Sequence, residues 1–531
     1  MNSGTAAART HLLSWGGPVQ ATNRIERGYR WWALGAVLLV MFTASISSTI
    51  VSTAVPTIVG DLHGFTLYAW VFTGYMLAST VAVPFVGTLS DVYGRRPFYL
   101  WGIGFYVVGS VLAGLAQSML WLIGARIVAG IGGGAMMALS TATIGDIFSP
   151  RERGRWMGIV MGVFGLSSIV GPTAGGAITD HLGWRWVFFV TLPLVAVAGL
   201  IVGAILPRVR TPHERGRLDV SGSVLMTGGL VAVLLGFTWG GSDYAWLSWQ
   251  VVMLFVLGVL LLVALVPVER RASAPLLSPS FFRNRVFALS VVISFLISVA
   301  MFGGLTFIPL FVQGVVGKTA QNSGVVLTPM MLSFMVGSGV GGQIVSRTGR
   351  YRLQAVIGMA CGVVGMVMFS RLQASSGSGE VIRDMLVLGL GIGITMPIFS
   401  MTVFSSFPHE QLGAVNSARQ LFSNLGAAIA VPLMTAVLVN TFSHDMASYR
   451  LGSTLSPQSL LTPEAQAAIR HRFGAGAHGQ QLYTQFVGAV RHALSHGITD
   501  VFTIGIGFAA AAFLLTLVFP HIELTTWEGE R

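Results

Sequence analysis

Gly87-Thr-Leu-Ser-Asp91-Val-Tyr-Gly94-Arg95-Arg96 lies between two long apolar segments of the chain. A related stretch, Gly342-Gln-Ile-Val-Ser346-Arg-Thr-Gly349-Arg350, lies between two others, and its glycines are again seven residues apart. A second pair of sites repeats in the same way, as Pro150-Arg-Glu-Arg-Gly154 and as Pro408-His-Glu-Gln-Leu-Gly413. These repeats predict that the chain consists of two halves with the same fold.

Composition places both halves in a membrane. The 531 residues are 53% hydrophobic and 9% charged, whereas about 25% of the residues in an average soluble protein are charged. A span needs about 20 mostly apolar residues, and it is helical because lipid offers the backbone no partners. Fourteen segments qualify: 32–53, 68–88, 98–116, 119–147, 157–178, 184–206, 220–240, 247–267, 286–313, 324–346, 353–371, 384–406, 414–439 and 496–520.

We therefore expect an all-α polytopic membrane protein with 14 transmembrane helices. It comprises a six-helix bundle at 32–206, a linker at 207–285 that carries two inserted helices, and a second six-helix bundle at 286–520. With the N-terminus inside, 21 of the 31 Lys and Arg residues fall on the cytoplasmic side, as the positive-inside rule requires. The tails 1–31 and 521–531 are then cytoplasmic, and the membrane is the cell (inner or plasma) membrane.

One predicted external connection, 440–495, is much longer than the others. Its apolar residues recur at helical spacing near the C-terminal end of the connection, so we expect a short amphipathic helix lying on the outer face. The alternative is a spacer with no part in function. The residues in this pattern are Leu482, Phe486, Val487, Val490 and Leu494.

Other classes of protein fit the sequence less well. The net charge is +12, but no run of five basic residues occurs, so no nucleic-acid partner is expected. Cys361 is the only cysteine, which excludes a disulfide within the chain. No metal-spaced cluster or nucleophile elbow lies beside a span, and no repeated filter is present. The sequence therefore does not indicate an enzyme or a channel, and no cofactor or metal site is expected.

The stretch from Gly87 to Arg96 resembles the signature of the major facilitator superfamily, which lies between the second and third spans. The resemblance implies a gate. Gly87 permits close helix contact and Gly94 permits a tight turn. Asp91 and Arg95 form a charge pair that breaks or forms as the two halves rock against each other. Halves of this kind place the substrate near the bilayer midplane, between them.

Arg126-Ile-Val-Ala-Gly130-Ile-Gly-Gly-Gly134 resembles a second motif of that superfamily, in which the arginine is associated with proton transfer. A charge inside a span is costly and normally marks function. None of the 19 carboxylates falls convincingly at mid-span, so Arg126 and Asp91 are the candidates for proton coupling. The alternatives for Arg126 are a buried structural pair and a side chain that snorkels to the interface.

Gly162-Val-Phe-Gly165 and Gly171-Pro172-Thr-Ala-Gly175-Gly176, in the fifth segment, resemble the motif that characterises exporters of the superfamily. Pro172 removes a backbone donor and bends the helix. The glycines let a neighbouring helix approach closely. The resemblance implies that this bend seals one face of a cavity.

Gly183-Trp184-Arg185-Trp186 is similar to the start of the sixth span in the fourteen-span drug/proton antiporters, which usually have Asn where this chain has Thr191. The stretch Ile46 to Pro56 is similar to their first-span motif, but Ser47 stands where many relatives carry Asp. The resemblance implies a multidrug efflux transporter that exports lipophilic or amphipathic small molecules by proton antiport. Transport of a specific metabolite, lipid or siderophore, outward or inward, is the alternative. The missing acid puts cationic substrates in doubt.

A cavity without a mid-span acid should be lined by hydroxyl groups, aromatic rings and Met side chains. Each candidate has simple packing as its alternative role. Small molecules, protons and membrane lipids are the expected partners, and we expect a monomer. The candidates, chosen by position in cavity-forming spans, are Ser47, Thr49, Tyr75, Met136, Met137, Thr141 and Phe302.

The charge distribution makes a topology prediction. Epitope tags at both chain ends should be protected from antibody in intact cells, because the distribution of Lys and Arg places both tails in the cytoplasm. A tag inserted near Thr462 should be accessible from outside. Immunolabelling with and without permeabilisation measures this, and a protected Thr462 tag would overturn the count of fourteen spans.

Overall fold

A computed structural model describes residues 26–147, 150–205, 220–241, 243–272, 277–348, 351–408, 411–448, 467, 470–471 and 476–520. Within these ranges the chain forms fourteen long helices, and a helical turn, Trp186–Phe189, leads into the sixth. They are α1 (Glu26–Leu62), α2 (Tyr68–Tyr93), α3 (Arg95–Gly114), α4 (Met119–Ile147), α5 (Pro150–His181), α6 (Leu192–Ile205), α7 (Val220–Trp239), α8 (Trp249–Arg271), α9 (Arg285–Leu310), α10 (Ala320–Thr348), α11 (Tyr351–Phe369), α12 (Ser378–Phe404), α13 (Leu412–Ser448) and α14 (Ala477–Leu517).

The all-α membrane fold is confirmed. Thirteen helical segments of the described residues are long and apolar enough to cross a membrane. The remaining long helix is α5, and the side chains of its residues 150–161 lie outside the described ones. In the described part of the chain, no sheet forms beyond one isolated bridge between Gly240 and Tyr244.

The helix contacts repeat between the two halves. In the first half α4 packs on α2 and α3, while α1 packs on α5 and α6. In the second half α12 packs on α10 and α11, while α9 packs on α13 and α14. Each contact of α1 to α6 thus recurs eight helices later. The boundaries 32–206, 207–285 and 286–520 stay predictions, although the helices group around them in this way.

Glycines at matching positions permit these contacts. A methyl group on Gly134 of α4 would collide with the Ser79 carbonyl of α2. In the second half, a methyl group on Gly393 of α12 would collide with the Phe334 carbonyl of α10. Association in lipid depends on such close packing because lipid tails are as apolar as the helices. The abundance of glycine in the sequence therefore has a direct structural reason.

The inserted helices lie at one side of the contact between the halves. Helix α7 packs on α8, α2 and α13, so it touches both halves. Residues 252, 253, 256, 259, 260 and 263 of α8 are exposed apolar side chains, as expected of a helix facing lipid. The turn between α7 and α8 accepts a hydrogen bond at the Gly241 carbonyl from Asn440 Nδ2, at 3.3 Å.

We call the end of the molecule with the α1–α2 turn the outer end, following the predicted orientation. At this end α13 and α14 extend further than predicted. A 41-residue helix is about 60 Å long at 1.5 Å per residue, about twice the hydrocarbon thickness of a bilayer. Thr441 donates to Asp500 Oδ2 at 2.8 Å, and His496 Nδ1 lies 2.7 Å from Asp445 Oδ2, so side chains tie the two extensions together.

The expectation of a separate short helix within a 440–495 loop is wrong. Residues 477–495 are the first turns of α14, and α13 continues to Ser448. Phe486, Val490 and Leu494 are fully buried in the main core. The helical spacing was read correctly, but its apolar face packs on protein because α13 extends beside it. Residues 449–466 lie outside the described residues.

Candidate functional site

The two halves meet at the outer ends of α5 and α10 through backbone contacts. A methyl group on Gly324 of α10 would collide with the Pro172 carbonyl of α5, and one on Gly176 would collide with the Ala320 carbonyl. The Thr173 and Thr328 hydroxyls lie 3.1 Å apart, one turn further in. The predicted exporter motif therefore lies at the contact between halves. We call this contact the outer seal.

A carboxylate completes the outer seal. Asp180 accepts hydrogen bonds from the backbone N–H groups of Ala320, at 3.2 Å, and of Gln321, at 2.8 Å. These are the first residues of α10, whose N–H groups have no partner within the helix. A carboxylate near a helix N-terminus is also favoured by the helix dipole. Asp180 of one half thus caps a helix of the other.

Gln313 makes a second link between the halves. It lies in a π-helical turn, Phe311–Val315, just after α9. Its Nε2 donates to the Thr53 carbonyl of α1 at 2.9 Å and to Ser323 Oγ at 3.0 Å, while its Oε1 accepts from Thr57 Oγ1 at 3.3 Å. Each polar atom of the buried amide is satisfied, as its burial requires. Sequence reasoning missed Gln313, although a single amide within an apolar segment was a visible signal.

Aromatic side chains also join the two halves at the outer end, between α2 and α9 and between the α1–α2 turn and α13. Tyr68, the first residue of α2, donates its hydroxyl to the Thr306 carbonyl of α9 at 2.8 Å. Its ring stacks on Phe307, with 5.7 Å between centroids. Phe65, in the α1–α2 turn, contacts Phe442 of the α13 extension at 6.2 Å. The outer extension of α13 thus contributes to the contact between the halves at this end.

The same two helices separate toward the inner end. Gly165 lies on the face of α5 that carries Gly176, about three turns away, and Gly342 lies on the face of α10 that carries Gly324, about five turns away. The outer glycine of each pair touches the opposite helix, whereas among the described residues no atom of another helix lies within 4 Å of a methyl position on Gly165 or Gly342. The molecule is therefore closed at its outer end and open at its inner end.

The exporter motif also holds α5 against α1. A methyl group on Gly171 would collide with Thr49, and one on Gly175 would collide with the Ile50 carbonyl. Thr53 Oγ1 donates to the Pro172 carbonyl at 3.3 Å, and Thr49 Oγ1 donates to the Ser167 carbonyl at 3.2 Å. Thr49, predicted as a cavity residue, is used in this packing. The motif thus contacts helices of both halves.

Arg126 is buried below the outer seal, with 2% of its surface exposed. Its guanidinium carbon lies 4.2 Å from the centroid of the Tyr75 ring, a cation–π geometry. Its Nε donates to the Val71 carbonyl at 3.3 Å. Ser47 is buried on α1, which packs on α4. Tyr75, a predicted cavity residue, and Arg126, the predicted proton-coupling residue, therefore form one group, which we call the Arg126 cluster.

The Arg126 cluster lies between α2 and α4, where the Tyr75 hydroxyl packs against Gly133 of α4. Tyr75 follows Tyr68 by seven residues, so the two residues lie two turns apart on α2. Tyr68 reaches α9 of the other half, and Tyr75 lies about 10 Å further in at 1.5 Å per residue. The cluster therefore lies two turns inward of the outer closure.

The gating motif has the predicted turn but not the predicted close contact. Gly94 joins α2 to α3 with a φ of 93°, which favours glycine. Arg95 Nη1 donates to Ser90 Oγ at 2.7 Å, and Arg96 donates to the Gly203 carbonyl of α6. In the part of the chain that the structure describes, a methyl group on Gly87 would meet no atom of another helix within 4 Å. The Asp91 side chain lies outside the described residues.

The remaining predicted cavity residues do not join the cluster. Met136 is fully buried in a core of α1, α3, α4 and α6 side chains, and Met137 packs against that core. Thr141 is exposed and donates to the Ala138 carbonyl of its own helix at 2.9 Å. Phe302 packs against the main core. Sequence position named these residues, but it does not give the direction in which a side chain points.

Residues after the exporter motif stabilise the outer end of the first half. Trp184 Nε1 donates to Asp61 Oδ2 at 2.9 Å, and Arg185 approaches the same oxygen at 3.4 Å. Thr191, where relatives have Asn, accepts from the Tyr106 hydroxyl at 3.0 Å. These bonds join the α5–α6 connection to α1 and α3.

A second arginine, Arg419, lies within α13. Only 6% of its surface is exposed, and its Nη2 donates to Asn416 Oδ1 at 3.4 Å. It is the second arginine found buried among the described residues.

Comparison with known proteins agrees with this geometry. The family model described as Major Facilitator Superfamily matches residues 37–222 and 217–431. The chain is 34% identical over 509 residues to Multidrug transporter protein MdtP of Bacillus subtilis (strain 168), covering 93% of this chain and 94% of that protein. It is 30% identical over 512 residues to Efflux pump FUS6 of Gibberella fujikuroi, covering 94% and 90%.

Solved structures share the fold. A bacterial homologue of the human lysosomal transporter Spinster, in an inward-facing and unoccupied conformation, matches with a TM-score of 0.63 at 14% identity, covering 93% of this chain and 99% of that one. An auto-inhibited peptide transporter of the POT family matches with a TM-score of 0.60 at 14% identity, covering 93% and 98%.

The difference between outer and inner glycines predicts the result of a matched pair of substitutions. Gly176→Leu should force α5 from α10 and expose the outer side of the space between halves, because a side chain has no room there. Gly165→Leu, on the same face, should not. The measurement is labelling of a Thr57→Cys reporter, in a Cys361→Ser background, by an impermeant maleimide added outside. Equal labelling of the two variants would contradict the assignment of the seal.

Proposed function

The chain belongs to the major facilitator superfamily and is a membrane transporter, and from that premise we propose that it exports lipophilic or amphipathic small molecules by proton antiport and alternating access. The observation that carries the proposal is the position of Gly171–Gly176, packed against α1 of its own half and α10 of the other. A motif in this position holds one face shut while the other is open. The relatives named for multidrug transport and efflux support the outward direction.

Alternating access requires the outer seal and the other links between the halves at the outer end to break. These contacts are Asp180 with the start of α10, Gln313 with α1, and Tyr68 with α9. All are hydrogen bonds between the two halves, so a rocking motion breaks them together. The inner ends then close, and Gly87, Gly165 and Gly342, which have open space around them here, are small enough to let helices approach. The gating role of Asp91, Arg95 and Arg96 belongs to that second state.

The lipophilic character of the substrate has support in an apolar groove. A groove of about 690 Å³ follows the α5–α10 contact at the level of the seal, and its lining is mainly apolar: Ile169, Val170, Ala174, Ala177, Val325 and Pro329, with the side chains of Thr173 and Thr328. Helix α10 is a candidate membrane span, and the groove residues Val170 and Val325 are exposed. Compounds dissolved in the bilayer can therefore reach the groove. Such apolar linings favour apolar ligand surface.

Proton coupling is assigned to Arg126, with Asp91 acting through the gate. An arginine at the centre of a membrane helix costs about 2.5 to 3.5 kcal/mol on insertion scales. Arg126 is the eighth residue of α4 and is buried, so its cost lies below that figure but still calls for a function. Arg126 lies on α4 and touches α2, one of the helices that carry the outer closure. We further propose a monomer in the cell membrane with both termini in the cytoplasm, in contact with lipid along its apolar surface.

Coupling can be tested in proteoliposomes with an imposed pH gradient and a neutral lipophilic fluorophore. Transport by the unsubstituted chain should require the gradient. Arg126→Ala should abolish gradient-driven transport, because a methyl group carries no charge to respond to protonation, and Asp91→Asn should weaken it. Arg371→Ala, an exposed cation at the outer end of α11, is the control and should transport normally. Gradient-independent accumulation, or full activity of Arg126→Ala, would show that the coupling is misassigned.

A further inference from the structure

We propose that the Arg126 cluster binds the anionic head group of the substrate, so that the transported compounds are amphipathic anions such as lipophilic carboxylates. The proposal rests on the export function above and names the substrate class of that same site. It is carried by the charges around the cluster, the free donors of the guanidinium, and the position of the cluster two turns inward of the outer closure.

The cluster holds a positive charge with no negative charge beside it. Among the described residues, no carboxylate forms an ion pair with Arg126. The carboxylates that bond at the outer ends of other helices are already engaged: Asp61 with Trp184, Asp180 with Gln321, and Asp384 with Arg383. A charge buried without a partner is unfavourable, and a bound anion would remove that cost.

The guanidinium has donors to offer. A guanidinium carries five N–H groups, and among the described residues the one hydrogen bond that it donates runs from Nε to the Val71 carbonyl. The Tyr75 ring covers one face, which leaves the edge with the terminal nitrogens for a ligand. A planar carboxylate or sulfonate matches this edge with two parallel hydrogen bonds.

Ser47 leaves the first span uncharged beside the cluster. It is buried on α1, and α1 packs on α4, the helix that carries Arg126. An Asp at position 47 would add a negative charge to this neighbouring helix and weaken the positive potential of the cluster. With a hydroxyl there, the cluster keeps its positive charge, and it selects an anion rather than a cation.

The position of the Arg126 cluster close to the outer closure would let a substrate reach it from either side of the membrane. Tyr75 lies two turns inward of Tyr68, which reaches α9 of the other half. A substrate from the inner side would meet Arg126 at the end of its path, with its apolar part in the space between the halves. Breaking the seal at Tyr68 would open the same cluster to the outside.

The test is equilibrium binding to the purified full chain in nanodiscs, without any gradient, so that coupling plays no part. The probes are three dansyl amides with the same hexyl linker, which end in a carboxylate, a methyl ester or a trimethylammonium group. The carboxylate should bind about tenfold more tightly than the ester, which corresponds to about 1.4 kcal/mol. Arg126→Gln should remove this preference while ester binding stays within about twofold, and Arg126→Lys should keep part of it.

Two further variants keep the test decisive if Arg126→Gln folds poorly. Ser47→Asp should reduce the preference for the carboxylate probe, because a negative charge on the neighbouring helix weakens the positive potential of the cluster. Arg419→Gln removes the other buried arginine and should leave the ratio of carboxylate to ester binding unchanged. Equal binding of the three probes to the unsubstituted chain would overturn the proposal, as would an equal loss for all three in Arg126→Gln. Export itself would stand if the ester or ammonium probe were transported.

Discussion

Backbone contact between α5 and α10 at the outer end is the constraint on which the rest of the structure depends. Gly176 meets the Ala320 carbonyl, and Gly324 meets the Pro172 carbonyl, so the two halves touch without intervening side chains. Helices in lipid gain little from burying apolar surface against each other, and they associate where small residues allow close approach. Because the contact is confined to the outer turns, the inner turns separate, and a single pair of helices sets which end of the molecule is open.

The polar groups follow from that geometry. Asp180, Gln313 and Tyr68 each bond from one half to the other at the outer end, where water can replace their partners when the seal breaks. Arg126 lies one step further in, on α4, beneath the same closure. Opening the outer end therefore changes the surroundings of the buried charge, and the antiport that we propose would use this change to link its gate to its binding site.

Sequence reasoning recovered the features that repeat or that lipid dictates. The two halves, the fourteen helices and the turn at Gly94 follow from glycine spacing and apolar length. It predicted Arg126 and Tyr75 separately, and the fold brings them into contact. It missed Gln313 and the paired extensions of α13 and α14, since both depend on which distant helix lies alongside. Met136 packs in a core with side chains of α3, and a single sequence does not show which face of α4 turns toward α3.

The measurement that tests the account most directly is a pair of spin-label distances in a Cys361→Ser background. One pair, at positions 181 and 318, spans the outer ends of α5 and α10, and the other, at 162 and 342, spans their inner halves. The account predicts a short outer distance and a long inner distance at rest. A bound substrate together with an imposed pH gradient should produce a second population in which both change in opposite directions. An outer distance that stays fixed while transport proceeds, or two distances that lengthen together, would contradict the rocking of two rigid halves about the glycine seal.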